Sequence, residues 1–285
     1  MDILNSIDQC IINNYDEDFF QLYLFSNENI GDYKSYFDLN GKSLLTVGSS
    51  IDQVINASLD NCSNITICDI CPLTKYFYYL KLSSLLVLDR KEFLDFLCVT
   101  NYKNNKQYNP QFLSKKLFNK ISDCLKNIDY ESYFIWYYIL SKYSKVQIRK
   151  LFRSDISNLE SIIYCNTYLK NDKLYNKARR NMLNISINIY NEDITLFNYD
   201  KKYDNIWLSN VAQYLNEDKR NMLLNNCYNN MHKDSMALIC YFWNKSMTIK
   251  GCPIFDIKNL DLNKIIIDGT SEYDYGNSIL VYKKK

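Results

Sequence analysis

The sequence predicts an α/β fold. It should hold a seven-stranded, mostly parallel sheet with helices on both faces, a C-terminal antiparallel hairpin and a helical insertion. Three observations predict it. From Ser43 to Leu88 short apolar runs alternate with helical patterns in the order β-α-β-α, which implies parallel strands joined by right-handed crossovers. The strand pattern then stops over 89–183 and resumes at Asn184. The chain closes on two β-branched runs separated by "DYGN", a sequence suited to a tight turn.

The elements follow in order. "DILNSIDQCIINN" and "DEDFFQLYLFS" read as helices, the second with Asp16 or Asp18 as its cap. "SLLTV" (43–47) has strand length, and "SIDQVINASLDN" places Ile51, Val54, Ile55 and Leu59 on one helical face. "NITICDI" (64–70) is β-branched and alternating. "PLTKYFYYLKLSSLLVL" is a helix with Pro72 at or near its first turn. "RKEFLDFL", "PQFLSKKLFNKISDCLKNI", "YESYFIWYYILSKYSKVQIRKLF" and "NDKLYNKARRNML" make 89–183 helical throughout, too long for a βα connection. Strands resume at "NISINIYNEDI" (184–194), "YDNIWLSN" (203–210) and "SMALICYFW" (235–243), with "VAQYLNEDKRNMLLNNCYNNM" a helix between the last two. "NKIIIDG" and "NSILVYKKK" form the hairpin. The expected organisation is an N-terminal helical segment over 1–42, an α/β core over 43–88 and 184–285, and a helical cap over 89–183 on the acceptor side.

Composition narrows the function. The 285 residues carry 34 basic and 32 acidic side chains, a net charge of +2. That balance argues against a dedicated nucleic-acid binder. No basic, apolar leader and no run of about 18 apolar residues is visible, so the chain reads as cytoplasmic. Its ten cysteines read as reduced core thiols. Cys68 and Cys71 form a CxxC with no second pair to complete a zinc site. His232 is the single histidine, placed in a polar connection, which excludes multi-histidine metal sites. No metal is expected.

The chemistry concentrates in "SLLTVGSSIDQVINASLDNCSNITICDICP". Gly48 ends the first strand of the α/β core, where a missing Cβ lets a ligand approach the backbone. Asp69 ends the next strand, where a carboxylate accepts two hydrogen bonds from a ribose diol. The pair reads as an adenosine site. Neither GxGxxG nor a P-loop is present. Asp52 is a poor neighbour for a pyrophosphate but suits a cationic ligand group.

The strand order with its terminal hairpin resembles the class I S-adenosylmethionine-dependent methyltransferase fold. Within it, "FSNENIGDYKSYFDLNGKSLLTVGSSIDQVINA" and "CDICPLTKYFYYLKLSSL" are similar to the betaine-lipid 3-amino-3-carboxypropyl transferases and their bacterial relatives. The specific motifs cover Phe25 to Leu86, with a weaker echo in "YDNIWLSNVAQYL". The resemblance implies S-adenosylmethionine as cofactor, with Gly48, Ser49 and Ser50 as the turn beneath it. Asp52 would face its aminocarboxypropyl end and Asp69 its ribose. Asp193 and Ile194 would lie beside the adenine, Ser209 and Asn210 near the reacting sulfonium. Glu28 and Asn29 would close over the ligand. The family pattern has Gly where Ile51 stands.

Plainer readings stand beside these. Gly48 and Asp69 make an ordinary strand exit, and Asp193 a polar one. Ser209 and Asn210 suit a helix cap, and Glu28 a surface position. The aromatics at Trp136–Tyr138 suit a core as well as an acceptor pocket. The basic runs "SKYSKVQIRKLFR" and "NKARR" suit a solvated helix face. The expected activity is methyl transfer to a small-molecule or lipid acceptor. The alternatives are 3-amino-3-carboxypropyl transfer, a non-catalytic module that binds S-adenosylmethionine, and an interaction protein that keeps only the fold.

Overall fold

The computed structural model describes residues 3–13, 22–98, 111–153, 159–197, 201–242, 260–269 and 277–285. The elements run α1 (Ile3–Asn13), β1 (Leu22–Tyr23), α2 (Ile30–Lys34), β2 (Ser43–Thr46), α3 (Asp52–Ser58), β3 (Asn64–Cys68), α4 (Thr74–Val87), α5 (Arg90–Leu97), α6 (Lys115–Ile128) and α7 (Tyr130–Lys142). They continue with α8 (Lys145–Ile148), β4 (Phe152–Arg153), α9 (Leu159–Cys165), α10 (Asp172–Met182), β5 (Ser186–Tyr190), β6 (Tyr203–Trp207), α11 (Glu217–Asn229), β7 (Met231–Phe242), β8 (Leu262–Gly269) and β9 (Asn277–Lys284). They fall into two compact units: residues 1–27, 48–55 and 70–183 in one, and 28–47, 56–69 and 184–285 in the other.

The second unit holds the seven-stranded sheet, ordered β5-β3-β2-β6-β7-β9-β8. β5, β3, β2, β6 and β7 run parallel. β9 inserts antiparallel between β7 and β8. The register sets Leu44 opposite Ile65 and Asn205, and Thr46 opposite Ile67 and Trp207. β2 and β3 lie mid-sheet and are buried almost end to end, which explains their unbroken apolar runs. β5 is an edge strand and is half-exposed. Leu223, Leu224 and Cys227 of α11 share one core cluster with Leu45, Ile206, Leu208, Ile239 and Leu280.

At the amino ends of the strands, Asp204 Oδ2 accepts from Ser43 N at 2.9 Å and Ser43 Oγ at 2.8 Å. Burial pushes this carboxyl up, but the two Ser43 donors and nearby Lys42 outweigh it and hold it below the ordinary 3.8.

The first unit is helical. Its helix starts are read from caps: Asp89, Ser114, Asp129 and Asn171 each accept a backbone N–H of the first turn, and Ser144 with Gln147 forms a capping box. Trp136 is fully buried, donates to Tyr76 O at 2.9 Å and packs near-parallel to Phe152. Its place is therefore in the core. Asp8 of α1 accepts from Tyr138 at 2.9 Å and from Lys142 at 2.6 Å.

Two sequence expectations change here. Of the helix expected over 16–26, residues 16–21 lie outside the described residues. Leu22–Tyr23 is a short strand paired parallel with Phe152–Arg153. Tyr23 N–H also bonds Ser49 O at 2.9 Å, so tertiary partners take backbone groups that a helix would have used internally. The stretch expected to be helical throughout likewise contains β4. The "DYGN" turn lies mostly outside the described residues.

Candidate functional site

The sheet unit gathers several predicted residues at the carboxyl ends of its strands. β6 ends at Trp207, and the chain turns at Ser209, whose φ is +56°. Ser209 Oγ donates a very short hydrogen bond to Glu28 Oε1, and Tyr33 OH lies 3.4 Å from Glu28 Oε2. Glu28 is 2% exposed. Asn29 N–H donates to Tyr241 OH at 3.0 Å, while Tyr241 N–H donates to Ser209 O at the same distance. The rings of Tyr33 and Phe37 meet Trp207 edge-on at 5.3 and 5.5 Å. Glu28, 181 residues from Ser209 in the chain, and Asn29 are thus brought together with it by the end of β6 and by Tyr241 of β7.

Asn210 opens a short 3-10 turn over Val211–Tyr214, yet its side chain makes no capping bond. Its Nδ2 lies 3.5 Å from Tyr214 OH.

Asp69 directly follows β3 and is half-buried. Its backbone is tied to β5: its N–H donates to Tyr190 O, and its carbonyl accepts from Glu192 N and Asn191 Nδ2, all at 3.0–3.1 Å. Asp193, after β5, uses Oδ1 to accept from Thr195 N at 2.9 Å and Thr195 Oγ1 at 2.8 Å, a local turn cap. Ile194 is 5% exposed and belongs to the sheet core. Burial and then Asp69, Glu192 and Asp193 push the Cys68 thiol far above its ordinary value. Among the described residues the cysteines are free, and no cluster of His, Cys, Asp and Glu suits a metal ion. His232 is exposed.

The helical unit holds the turn from Gly48 to Asp52. Ile51 N–H closes it onto Gly48 O at 3.1 Å. Ser50 Oγ accepts from Asp52 N and lies 3.3 Å from Gln53 Oε1. Asp52 is fully buried. Its Oδ1 meets Lys81 Nζ at 2.8 Å and accepts from Tyr168 OH at 2.7 Å, and its Oδ2 accepts from Ser26 N–H. Lys81 is also fully buried and donates to Leu24 O at 2.8 Å and Ser50 O at 2.7 Å, so its three N–H donors each have a partner. Its ammonium sits 4.5 Å from the Phe25 ring centroid. Burial pulls Lys81 below its ordinary value, with Asp52 working against that. Burial and Asp52 push Tyr168 well above its own, which keeps the phenol a donor.

Ile51 has φ +67°. This is the left-handed region that glycine enters freely and a β-branched residue enters at a cost of about 1–2 kcal/mol.

Sequence reasoning did not single out Lys81, Tyr168, Tyr33 or Tyr241. Lys81 carried a signal, a lone cation between Leu80 and Leu82 on an otherwise apolar stretch of helix. The tyrosines carried none, being three among 26.

Strand order and the inserted antiparallel strand make the sheet unit a Rossmann-like methyltransferase fold, as the sequence predicts. No protein-family model matches the chain, and no curated protein sequence is similar to it. Among solved structures, the chain is similar to the N-methyltransferase NodS from Bradyrhizobium japonicum WM9 in complex with S-adenosyl-L-homocysteine. The two are 9% identical over 98% of this chain and 97% of that one, with a TM-score of 0.42. It is also similar to the glycopeptide N-methyltransferase MtfA complexed with S-adenosyl-L-homocysteine, at 7% identity over 93% and 92% of the chains, with a TM-score of 0.47. At these scores the likeness is loose, and the strand order itself defines the fold. No helix among the described residues is long and apolar enough to cross a membrane.

Proposed function

We propose that the protein is an S-adenosylmethionine-dependent transferase that methylates a small-molecule or lipid acceptor. The observation that carries this reading is the order β5-β3-β2-β6-β7-β9-β8 with β9 antiparallel, which sets Asp69, Asp193 and Ser209 just past the carboxyl ends of parallel strands. Ligands of open parallel sheets bind at those ends.

The residues fit the cofactor. Asp69, anchored by its backbone and half-buried, would accept from the ribose hydroxyls. Asp193 and Ile194 pair one polar and one apolar group, as an adenine edge and face require. Bound S-adenosylmethionine supplies an electrophilic methyl carbon beside a positive sulfur. Glu28, buried among Ser209 and Tyr33, offers negative charge favourable to that cation. Ser209 and Asn210 present a hydroxyl and an amide that orient an acceptor by hydrogen bonding, and Asn29 closes the same cluster through Tyr241. Positioning of this kind lowers a barrier by up to ~7–11 kcal/mol without a metal or covalent step. By the resemblance, Gly48, Ser49 and Ser50 would be a cofactor-binding turn. Asp52, engaged by Lys81, Tyr168 and Ser26, is assigned to shaping that turn rather than to meeting the ligand's ammonium.

The test is the adenosine by-product. Pure protein is incubated with S-adenosylmethionine and cell extract, beside Asp69→Ala protein and extract alone, and the products are resolved by mass spectrometry. S-adenosylhomocysteine formed only with intact protein supports methyl transfer. Methylthioadenosine in its place would replace that reading with aminocarboxypropyl transfer. If neither product forms and S-adenosylhomocysteine fails to raise the melting temperature, the transferase reading is abandoned.

A further inference from the structure

Lys81 has no part in the reading above, and Ile51 stands in a backbone conformation its side chain disfavours. The two facts meet at one ammonium. Of the three groups that Lys81 Nζ holds, one is the carbonyl of Ser50 and another the carboxylate of Asp52, the residues immediately before and after Ile51. The third, Leu24 O, belongs to the segment whose Ser26 N–H donates to the other oxygen of Asp52. A left-handed β-branched residue persists only where its surroundings over-determine it. Here one cation fixes both its neighbours, and Tyr168 fixes the carboxylate from a further side. Asp52 accepts from Lys81, Tyr168 and Ser26, so its carboxylate oxygens sit among donors.

We propose that Lys81 is a positioning residue: gripping Ser50 and Asp52 at once, it holds Ile51 left-handed and sets the shape of the Gly48–Asp52 turn for cofactor binding. The second half of this rests on the cofactor reading above; the first does not. Without the clamp, Ile51 relaxes toward negative φ. The backbone N–H groups at 48–52 then change direction, and the segment at Leu24–Ser26 loses its tie to the turn.

The experiment combines hydrogen exchange with ligand affinity. Wild type, Lys81→Met, Tyr168→Phe and Leu125→Ala are compared. Leu125 is a buried residue of α6 and serves as a control for general destabilisation. Peptides spanning 22–26 and 48–55 are followed beside a sheet peptide spanning 203–207, and S-adenosylhomocysteine binding is measured by calorimetry. In Lys81→Met exchange of the first two peptides should rise at least tenfold more than that of the sheet peptide, and binding should weaken at least tenfold. Tyr168→Phe, which keeps the ion pair, should show the same pattern at about threefold and serves if Lys81→Met does not fold. Leu125→Ala should lower the melting temperature without singling out these peptides. Unchanged exchange at 48–55 in both clamp variants, or a rise shared equally by the sheet peptide, would overturn the clamp. A loosened turn with undiminished affinity would overturn its role in cofactor binding. Failure of wild type to bind would count against the transferase reading, while the exchange data still judge the clamp.

Discussion

The turns that follow β2 and β3 each carry one of the aspartates the sequence singles out, and the two are held in opposite ways. Asp52 is fully buried, and its carboxylate is met by a lysine, a phenol and a backbone N–H. Asp69 is half-buried, and the bonds that fix it to β5 come from its backbone N–H and C=O. A buried carboxylate surrounded by donors maintains local shape, because moving it means separating charge in a poorly solvated place. A carboxylate whose main chain is anchored can offer its oxygens to a ligand without loss of local structure. The same residue type thus holds a turn at Asp52, while at Asp69 the proposed reading gives it to the ligand.

The largest effect follows from the first half of that contrast. Lys81→Met leaves Asp52 buried without its cation and should cost about 3–5 kcal/mol of unfolding free energy, read from urea denaturation. A loss below about 1 kcal/mol would mean that Asp52 is no more structural than Asp69, and the contrast would collapse. Next in size is the backbone at Ile51. Ile51 and Ile55 are both 1% exposed, but Ile51 has φ +67° and Ile55 lies inside α3. Glycine relieves strain at the first and weakens a helix at the second. Ile51→Gly should therefore be less destabilising than Ile55→Gly by about 2 kcal/mol, and equal losses would show that Ile51 bears no strain.

Smaller again is Asp69→Ala. It should weaken S-adenosylhomocysteine binding at least tenfold, about 1.4 kcal/mol. Stability should change by under about 1 kcal/mol, since the backbone bonds to Tyr190, Glu192 and Asn191 remain. A stability loss as large as that of Lys81→Met, with binding intact, would reverse the roles assigned to the two aspartates.

The sheet was readable because its signals are local. β-branched runs such as "NITIC" and "NKIIIDG" place strands within a few residues of where they lie, and the break at 89–183 followed by renewed strands gave the topology. The helix expected at Asp16–Ser26 failed at Leu22–Tyr23 because the partners of that backbone, Phe152 and Ser49, are remote in sequence. The same limit applied at the site. Gly48, Asp69 and Ser209 announce themselves as strand exits, and both halves of the buried ion pair fall within the motifs "GSSIDQ" and "PLTKYFYYLK". Their pairing across 29 residues, and the arrival of Tyr168 from 116 residues away, are properties of packing that no spacing rule encodes. Reading Asp52 as a ligand group was natural for a carboxylate beside a glycine turn; its burial with Lys81 is what redirects it.

Asp204 extends the comparison to the amino ends of the strands and gives the smallest effect. Its carboxylate, held by the Ser43 N–H and hydroxyl, lies below its ordinary pKa despite burial. A folded value below the unfolded one stabilises the protein above about pH 3.8, and that contribution is lost as the pH falls through the folded value. Ser43→Ala removes one of the two donors and leaves the other. Titration of Asp204 by NMR should show its pKa rising, and stability at pH 7 should drop by about 0.5–1.5 kcal/mol. The difference from wild type should shrink as both proteins are taken below the folded pKa, where Asp204 is protonated in every state. A difference that stays constant into acid would mean that Ser43 acts through packing and not through the charge. Asp204 would then stand apart from Asp52 instead of sharing its role of fixing backbone through a carboxylate's hydrogen bonds.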